Sequence, residues 1–183
     1  MRTPSIILAA ALLLAACTPR QDSDLVEDLL AKMTLEEKIG QLNQYSSRWI
    51  MTGPAPDNEW AQAGKEKIES GELGSMLNVV GAQATYNAQK MAVENSRLGI
   101  PMIFGFDVIH GYRTMFPIPL GETATWEPEL AKLSSSVAAK EAAAGGIHWT
   151  FAPMVDISRD ARWGRGMEGA GEDPYLGSRF AHA

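Results

Sequence analysis

Two aspartates and one arginine-rich block hold the side chains of this sequence best suited to chemistry. Asp107 follows Ile103-Phe104-Gly105-Phe106, and Asp156 follows Phe151-Ala152-Pro153-Met154-Val155, so each carboxylate closes an apolar run. A carboxylate in such surroundings needs hydrogen-bond donors. Two sources fit equally well: the hydroxyls of a bound sugar, or backbone N–H groups of the loop that the aspartate begins. The block from Arg159 to Pro174 sets Asp160, Arg162, Trp163, Arg165, Glu168 and Glu172 among Gly164, Gly166, Gly169 and Gly171. Its glycine content disfavours a helix and lets the backbone turn closely around a ligand. Arginine offers a planar fork of N–H donors to carboxylates or vicinal hydroxyls, and Trp163 offers an apolar face to the C–H side of a sugar ring. The same residues can also form an arginine–glutamate network that holds the loop shut, and the two roles are compatible.

Cleavage of a glycosidic bond generally uses two carboxylates facing each other across that bond, ~5–5.5 Å apart when configuration is retained. Glu168 and Glu172 share one glycine-rich loop with several arginines, a setting that favours ionised, structural acids over an acid and a nucleophile. His110, His148 and His182 lack a metal-ligand spacing such as H-E-x-x-H and read as core or loop histidines. No metal and no cofactor are expected.

The elements that must position these residues follow from the apolar pattern. Leu73–Val80, Ile100–Ile109 and Ile147–Ile157 are apolar, β-branched or aromatic runs bounded by glycine, which predicts buried strands. Between them, Ala82–Arg97 is helix-prone, and Glu127–Ala144 has Pro128 in its first turn, Leu130, Leu133 and Val137 on one face and Gly145-Gly146 at its end. Alternating strands and helices imply parallel pairing with crossovers. A doubly wound sheet and a (β/α)8 barrel both fit, but no G-x-G-x-x-G follows any strand, which lowers the dinucleotide-binding form of the first. A barrel typically takes ~250 residues. The expected fold is therefore α/β, the N-terminal part of a (β/α)8 TIM-type barrel, incomplete, with about three βα units. In such a barrel the loops after the strands gather the functional groups on one face, where Asp107 and Asp156 fall. Ahead of the strands, Asp24–Lys32 carries Leu25, Leu29 and Leu30 at helical spacing, and Thr34-Leu35-Glu36-Glu37 has the form of a capping box. Ser46–Asn58, with Gly53, Pro54 and Pro56, reads as an irregular loop.

With 45% hydrophobic and 21% charged residues the chain of 183 is neither disordered nor fibrous. A formal charge of −6 without a Lys/Arg stripe argues against nucleic acid as a partner. Residues 1–17 differ from the rest: Arg2, an unbroken apolar run from Ile6 to Ala16, then Cys17. The run is shorter than the ~20 residues of a membrane-spanning helix and has the layout of a signal peptide. Leu14-Ala15-Ala16-Cys17 resembles a bacterial lipobox, so Cys17, the single cysteine, is the expected lipidation site. Residues 18–23 read as a tether and 24–183 as the partial barrel domain. The membrane is then met only through the N-terminal lipid anchor, on the periplasmic side of a bacterial envelope, and Thr18 after the cysteine resembles outer-membrane sorting.

Three blocks together resemble the N-terminal domain of glycoside hydrolase family 3: Met33-Thr34-Leu35-Glu36-Glu37-Lys38-Ile39-Gly40-Gln41-Leu42, then GIPMIFGFDVIHGYRTMFPIPL, then TFAPMVDISRDARWGRGMEGAGEDPYLGS. Phe106-Asp107-Val108-Ile109-His110-Gly111 is more similar to the periplasmic β-glucosidases of that family than to its β-xylosidases. The Arg162-Trp163-Gly164-Arg165 block is unlike its β-N-acetylhexosaminidase branch. The resemblance implies retaining, metal-free hydrolysis of terminal, non-reducing β-D-glucosyl residues. Asp107 matches the aspartate that grips sugar hydroxyls in the −1 subsite, Arg165 matches a second sugar-gripping residue, and Glu168 matches an acid that orients the arginine. The family's nucleophile and acid/base are expected beyond residue 183. By that expectation no catalytic residue lies in this chain, which alone would be inactive, an N-terminal portion of a β-glucosidase binding a β-glucoside or oligosaccharide. The alternatives are a non-catalytic sugar-binding envelope lipoprotein, an inactive truncated gene product, and a structural lipoprotein without a ligand.

Overall fold

The structure, a computed structural model, describes residues 22–47 and 59–183. The signal segment, Cys17 and residues 18–21 of the expected tether lie outside these, as does the expected loop from residue 48 onward. The chain divides into two compact units, Met1–Leu35 and Glu36–Ala183. In the first, helix α1 (Asp22–Lys32) begins two residues earlier than the leucine spacing predicted, within the tether's expected bounds. Among the described residues no helix is long and apolar enough to cross a membrane.

The second unit is built on four parallel strands in the order β1 (Gln44–Ser46), β2 (Ser75–Leu77), β3 (Ile103–Phe106) and β4 (Trp149–Thr150). Helix α2 (Leu35–Gln41) precedes them; α3 (Glu59–Ser70), α4 (Ala82–Asn95), then α5 (Pro119–Thr123) and α6 (Pro128–Ala144) make the three crossovers. Strand order equal to chain order, with a helical return each time, is the winding of a (β/α)8-type barrel. The expected partial barrel with about three βα units is borne out, but the units are placed differently. Three strands were foreseen; the fourth, β1, and helix α3 were not.

Strands β2, β3 and β4 are each shorter than the apolar run that holds them, and the sequence says why. Asn78 turns into the left-handed region at φ 65°, ending β2, and its N–H goes to the Gly105 carbonyl at 3.1 Å. Pro101 and Pro153 supply no N–H to a ladder at either side of β3 and β4. The sheet side that meets the helices buries Met76 and Phe104 in register, packed with Ile68, Val79, Ala88, Met102 and Ile147. On the other side Gly105 carries no side chain, and a Cβ there would stand 3.0 Å from the Phe151 ring.

Helix α4 stops at Asn95, two residues short of the expected Arg97. Ser96 turns extended; its hydroxyl donates to Ala92 O at 2.5 Å and accepts from Gly99 N at 3.2 Å, closing the helix end. Arg97 is thereby released toward α2, where it forks onto the buried Glu37 at 2.9 and 2.5 Å. Helix α6 runs where expected, with Glu127 at its N-cap, but turns a different face inward. Ala131, Ser134, Ala138 and Ala142 are buried, whereas Leu130 and Leu133 are exposed. Small side chains let the helix approach closely, and Ser134 is satisfied there by Glu122 at 2.6 Å.

Candidate functional site

Asp107 is the first residue after β3, and its side chain is exposed. The chain then makes a closed excursion. Phe116 N donates to His110 O at 2.8 Å, Gly111 and Met115 form a bridge, and His110 Nδ1 lies 3.0 Å from Phe116 O. Because a carbonyl only accepts, Nδ1 carries the hydrogen of this bond. Gly111 has φ 125°, and a Cβ would collide with Thr114 O, so the turn requires glycine. Helices hold this loop from two sides. Tyr112 packs edge-on against Phe106, and its hydroxyl accepts from Gly81 N at the start of α4 at 3.3 Å. Glu141 of α6 accepts from Arg113 N and Thr114 N, both at 2.8 Å, and from the Thr114 hydroxyl at 2.7 Å. Those bonds, the Thr114 N–H foremost, hold the Glu141 carboxyl below its usual range.

Asp156 lies past the end of β4 on an extended stretch joined to the arginine block by the Met154–Gly169 bridge and by Ser158 N to Gly171 O at 3.1 Å. Within the block Arg162 closes on Asp160, and a single 3-10 turn, Gly166–Glu168, forms where glycine had argued against a helix. One turn needs few residues of helical geometry, so the glycine cost is small. The turn sets Glu168 over Arg165: Nε and Nη2 both donate to Oε2, at 3.0 and 2.6 Å. This bond raises the Arg165 pKa above its ordinary value, with help from the charges of Asp107 and Asp156; Glu168 is held below the ordinary glutamate value, first by Arg165 and then also by His110.

The structure thus brings Asp107, Asp156, Arg165, Glu168 and His110 into one electrostatic group. The loop-closing network foreseen for the block is present in its two ion pairs. The loop-cap reading of the aspartates is not what the structure has: neither carboxylate accepts a hydrogen bond from any described residue. Glu172 is exposed and takes no part in this group. His148 is a framework residue whose Nδ1 accepts from Phe104 N at 3.2 Å. His182 ends helix α7 (Pro174–His182) and is exposed. Among the described residues no three His, Cys, Asp or Glu side chains converge as a metal set. A cleft of about 540 Å³ lies nearby, lined by Ile109, Phe116, Ala138, Trp149, Met154 and Phe180, but by none of Asp107, Asp156, Arg165 or Glu168. His110, Glu122 and Thr150 share that lining. Glu141 and Tyr112 were not foreseen; their partners are distant in sequence, and no local pattern marks them.

Parallel strands in chain order, with an acidic and guanidinium cluster gathered on the loops that follow them, define a partial TIM-type barrel with a polar cluster on its loop face. The sequence profile of the Glycosyl hydrolase family 3 N terminal domain matches residues 34–183. The chain is 46% identical over 161 residues to a periplasmic beta-glucosidase of Salmonella typhimurium, covering 88% of this chain and 20% of that one. It is 32% identical to a lysosomal beta glucosidase of Dictyostelium discoideum, covering 86% and 22% respectively. The beta-glucosidase of Listeria innocua, solved in complex with glucose, superposes with a TM-score of 0.76 at 38% identity, over 87% of this chain and 23% of that one. The chain belongs to glycoside hydrolase family 3. It spans about a fifth of the length of these curated relatives.

Proposed function

We propose that this chain supplies the −1 subsite of a retaining β-glucosidase acting on terminal, non-reducing β-D-glucosyl residues. Asp107 accepts from sugar hydroxyls, Arg165 donates to them, and Glu168 holds the guanidinium in place. The observation that carries this reading is the exposed Asp107 carboxylate, without a hydrogen-bond partner among the described residues, within the field of an Arg165 that Glu168 already grips. A charged acceptor left so beside an oriented donor suits adjacent hydroxyls of one sugar ring. That a relative of similar fold was solved with glucose supports the choice of ligand. The periplasmic relative supports an envelope location, and the lipobox-like residues before Cys17 extend this to a lipid anchor facing the periplasm, at the outer membrane. Titrating the ¹⁵N-labelled chain with glucose tests the site. Shifts centred on Asp107 and Arg165 are expected, needing more glucose to saturate in Asp107→Asn with the fold unchanged; shifts that persist undiminished in that variant would place the sugar elsewhere.

A further inference from the structure

We propose that Glu141 is a positioning residue for the sugar site, fixing from helix α6 the loop after β3 and, through it, the place of Asp107 opposite Arg165. The role rests on the sugar-site reading above. Asp107 begins an excursion that turns back at Phe116, and the far end of that excursion is where Glu141 binds: two backbone N–H groups and one hydroxyl converge on its carboxylate. Between the two fixed points, β3 and the Glu141 clamp, run only Asp107 to Tyr112, with Val108 buried and Tyr112 wedged between Gly81 and Gly145. A segment pinned at both ends has little room to move, so the height of Asp107 above the sheet depends on both pins. His110, bonded to Phe116 O at the turn, lies on the same stretch. Without Glu141 the N–H groups of Arg113 and Thr114 would turn to water, freeing the loop to rise. A helix acid merely adding stability would not show this dependence on Asp107.

The test is a double-mutant cycle read by glucose titration of the full chain, with hydrogen exchange of the Arg113 and Thr114 amides followed alongside. Glu141→Ala is expected to speed exchange at both amides and to weaken glucose binding roughly three- to thirtyfold, within the span of groups coupled in one network. In an Asp107→Asn background the same substitution should change affinity by less than about twofold, because its effect passes through Asp107. Glu141→Gln, which keeps one acceptor oxygen, and Thr114→Val, which removes the hydroxyl donor, should show the same pattern more weakly; they serve if Glu141→Ala does not fold. Wild-type binding that is unchanged in these variants, or losses that add fully to that of Asp107→Asn, would overturn the proposal while leaving the sugar site standing. Absence of any glucose response in the wild type would overturn the sugar reading, and this role with it.

Discussion

Both hydrogen bonds between Arg165 and Glu168 end on one carboxylate oxygen, Oε2, with Nε at 3.0 Å and Nη2 at 2.6 Å across a single 3-10 turn. A guanidinium has five N–H groups, so this grip on one edge leaves the other donors for a ligand. Orientation and availability are therefore combined in one side chain. The aspartates at 107 and 156 add negative charge around it without taking up its donors.

The Arg165–Glu168 pair gives the site a defined acid limit. The folded-state pKa of Glu168 is depressed, so what the pair contributes is fully present above the ordinary glutamate value of about 4.5 and is lost as pH falls through the lower folded value. Glucose affinity is expected to be flat from pH 7 to 5 and to fall only below about 4.5. Glu168→Gln should show reduced affinity already at pH 7. Titrations at stepped pH check both, and a fall centred well above pH 4.5 would show that another group sets the limit.

On the proposed reading the carboxylates gathered here hold a sugar and do not cut it. Retaining hydrolysis needs one acid that keeps its proton until the leaving group takes it, and Arg165 holds Glu168 ionised. Purified chain should release no measurable aryl alcohol from an aryl β-glucoside. Turnover that disappears in Glu168→Gln or Glu172→Gln would restore those two acids as a catalytic pair.

Removal of Cys17 should abolish lipidation. Cys17 follows the lipobox-like Leu14-Ala15-Ala16, and acylation is the use that this position suggests. Metabolic labelling with a fatty-acid probe is expected to mark the wild type and to leave Cys17→Ser unlabelled; equal labelling would show attachment elsewhere.

Core substitutions should separate residues that look alike in sequence. Phe104 is 1% exposed and pairs in register with Met76, so Phe104→Ala is expected to cost about 3–5 kcal/mol. Leu133 is 61% exposed, and Leu133→Ala should stay within about 0.5 kcal/mol. Denaturant melts of the two variants provide the comparison.

That contrast also marks where the sequence stops being legible. The runs around Met76, Phe104 and Ile147 show themselves because strands buried by helices are apolar throughout. Gln44-Tyr45-Ser46 does not, having one apolar residue in three; its strand exists because β2 offers a ladder, a tertiary cause. On α6 the leucine spacing pointed to one face, yet packing distance selected the alanine and serine face. In the site, Asp107 was visible from its place after a strand, and Arg165 and Glu168 from their block. Glu141 was not, because its partners Arg113 and Thr114 stand on a loop 28 and 27 residues away.

Arg165→Lys should weaken the sugar site without weakening the fold. The Arg165 side chain is 54% exposed and its ion pair lies at the surface, where such pairs add little to stability. What the guanidinium supplies is geometry: one planar edge on Glu168 while the remaining N–H groups are left for a ligand. An ammonium is a point charge on a flexible stem and cannot keep both directions at once. Glucose affinity is therefore expected to drop roughly tenfold, the worth of about one charge-assisted hydrogen bond. In a Glu168→Gln background the loss should shrink, since the charged partner that made planarity matter is gone. The melting temperature should stay near that of the wild type in both single variants. Calorimetric titration and thermal melts on the same four proteins decide the matter: a collapsed melt with glucose affinity retained in the folded fraction would make Arg165 a support of its loop and nothing more.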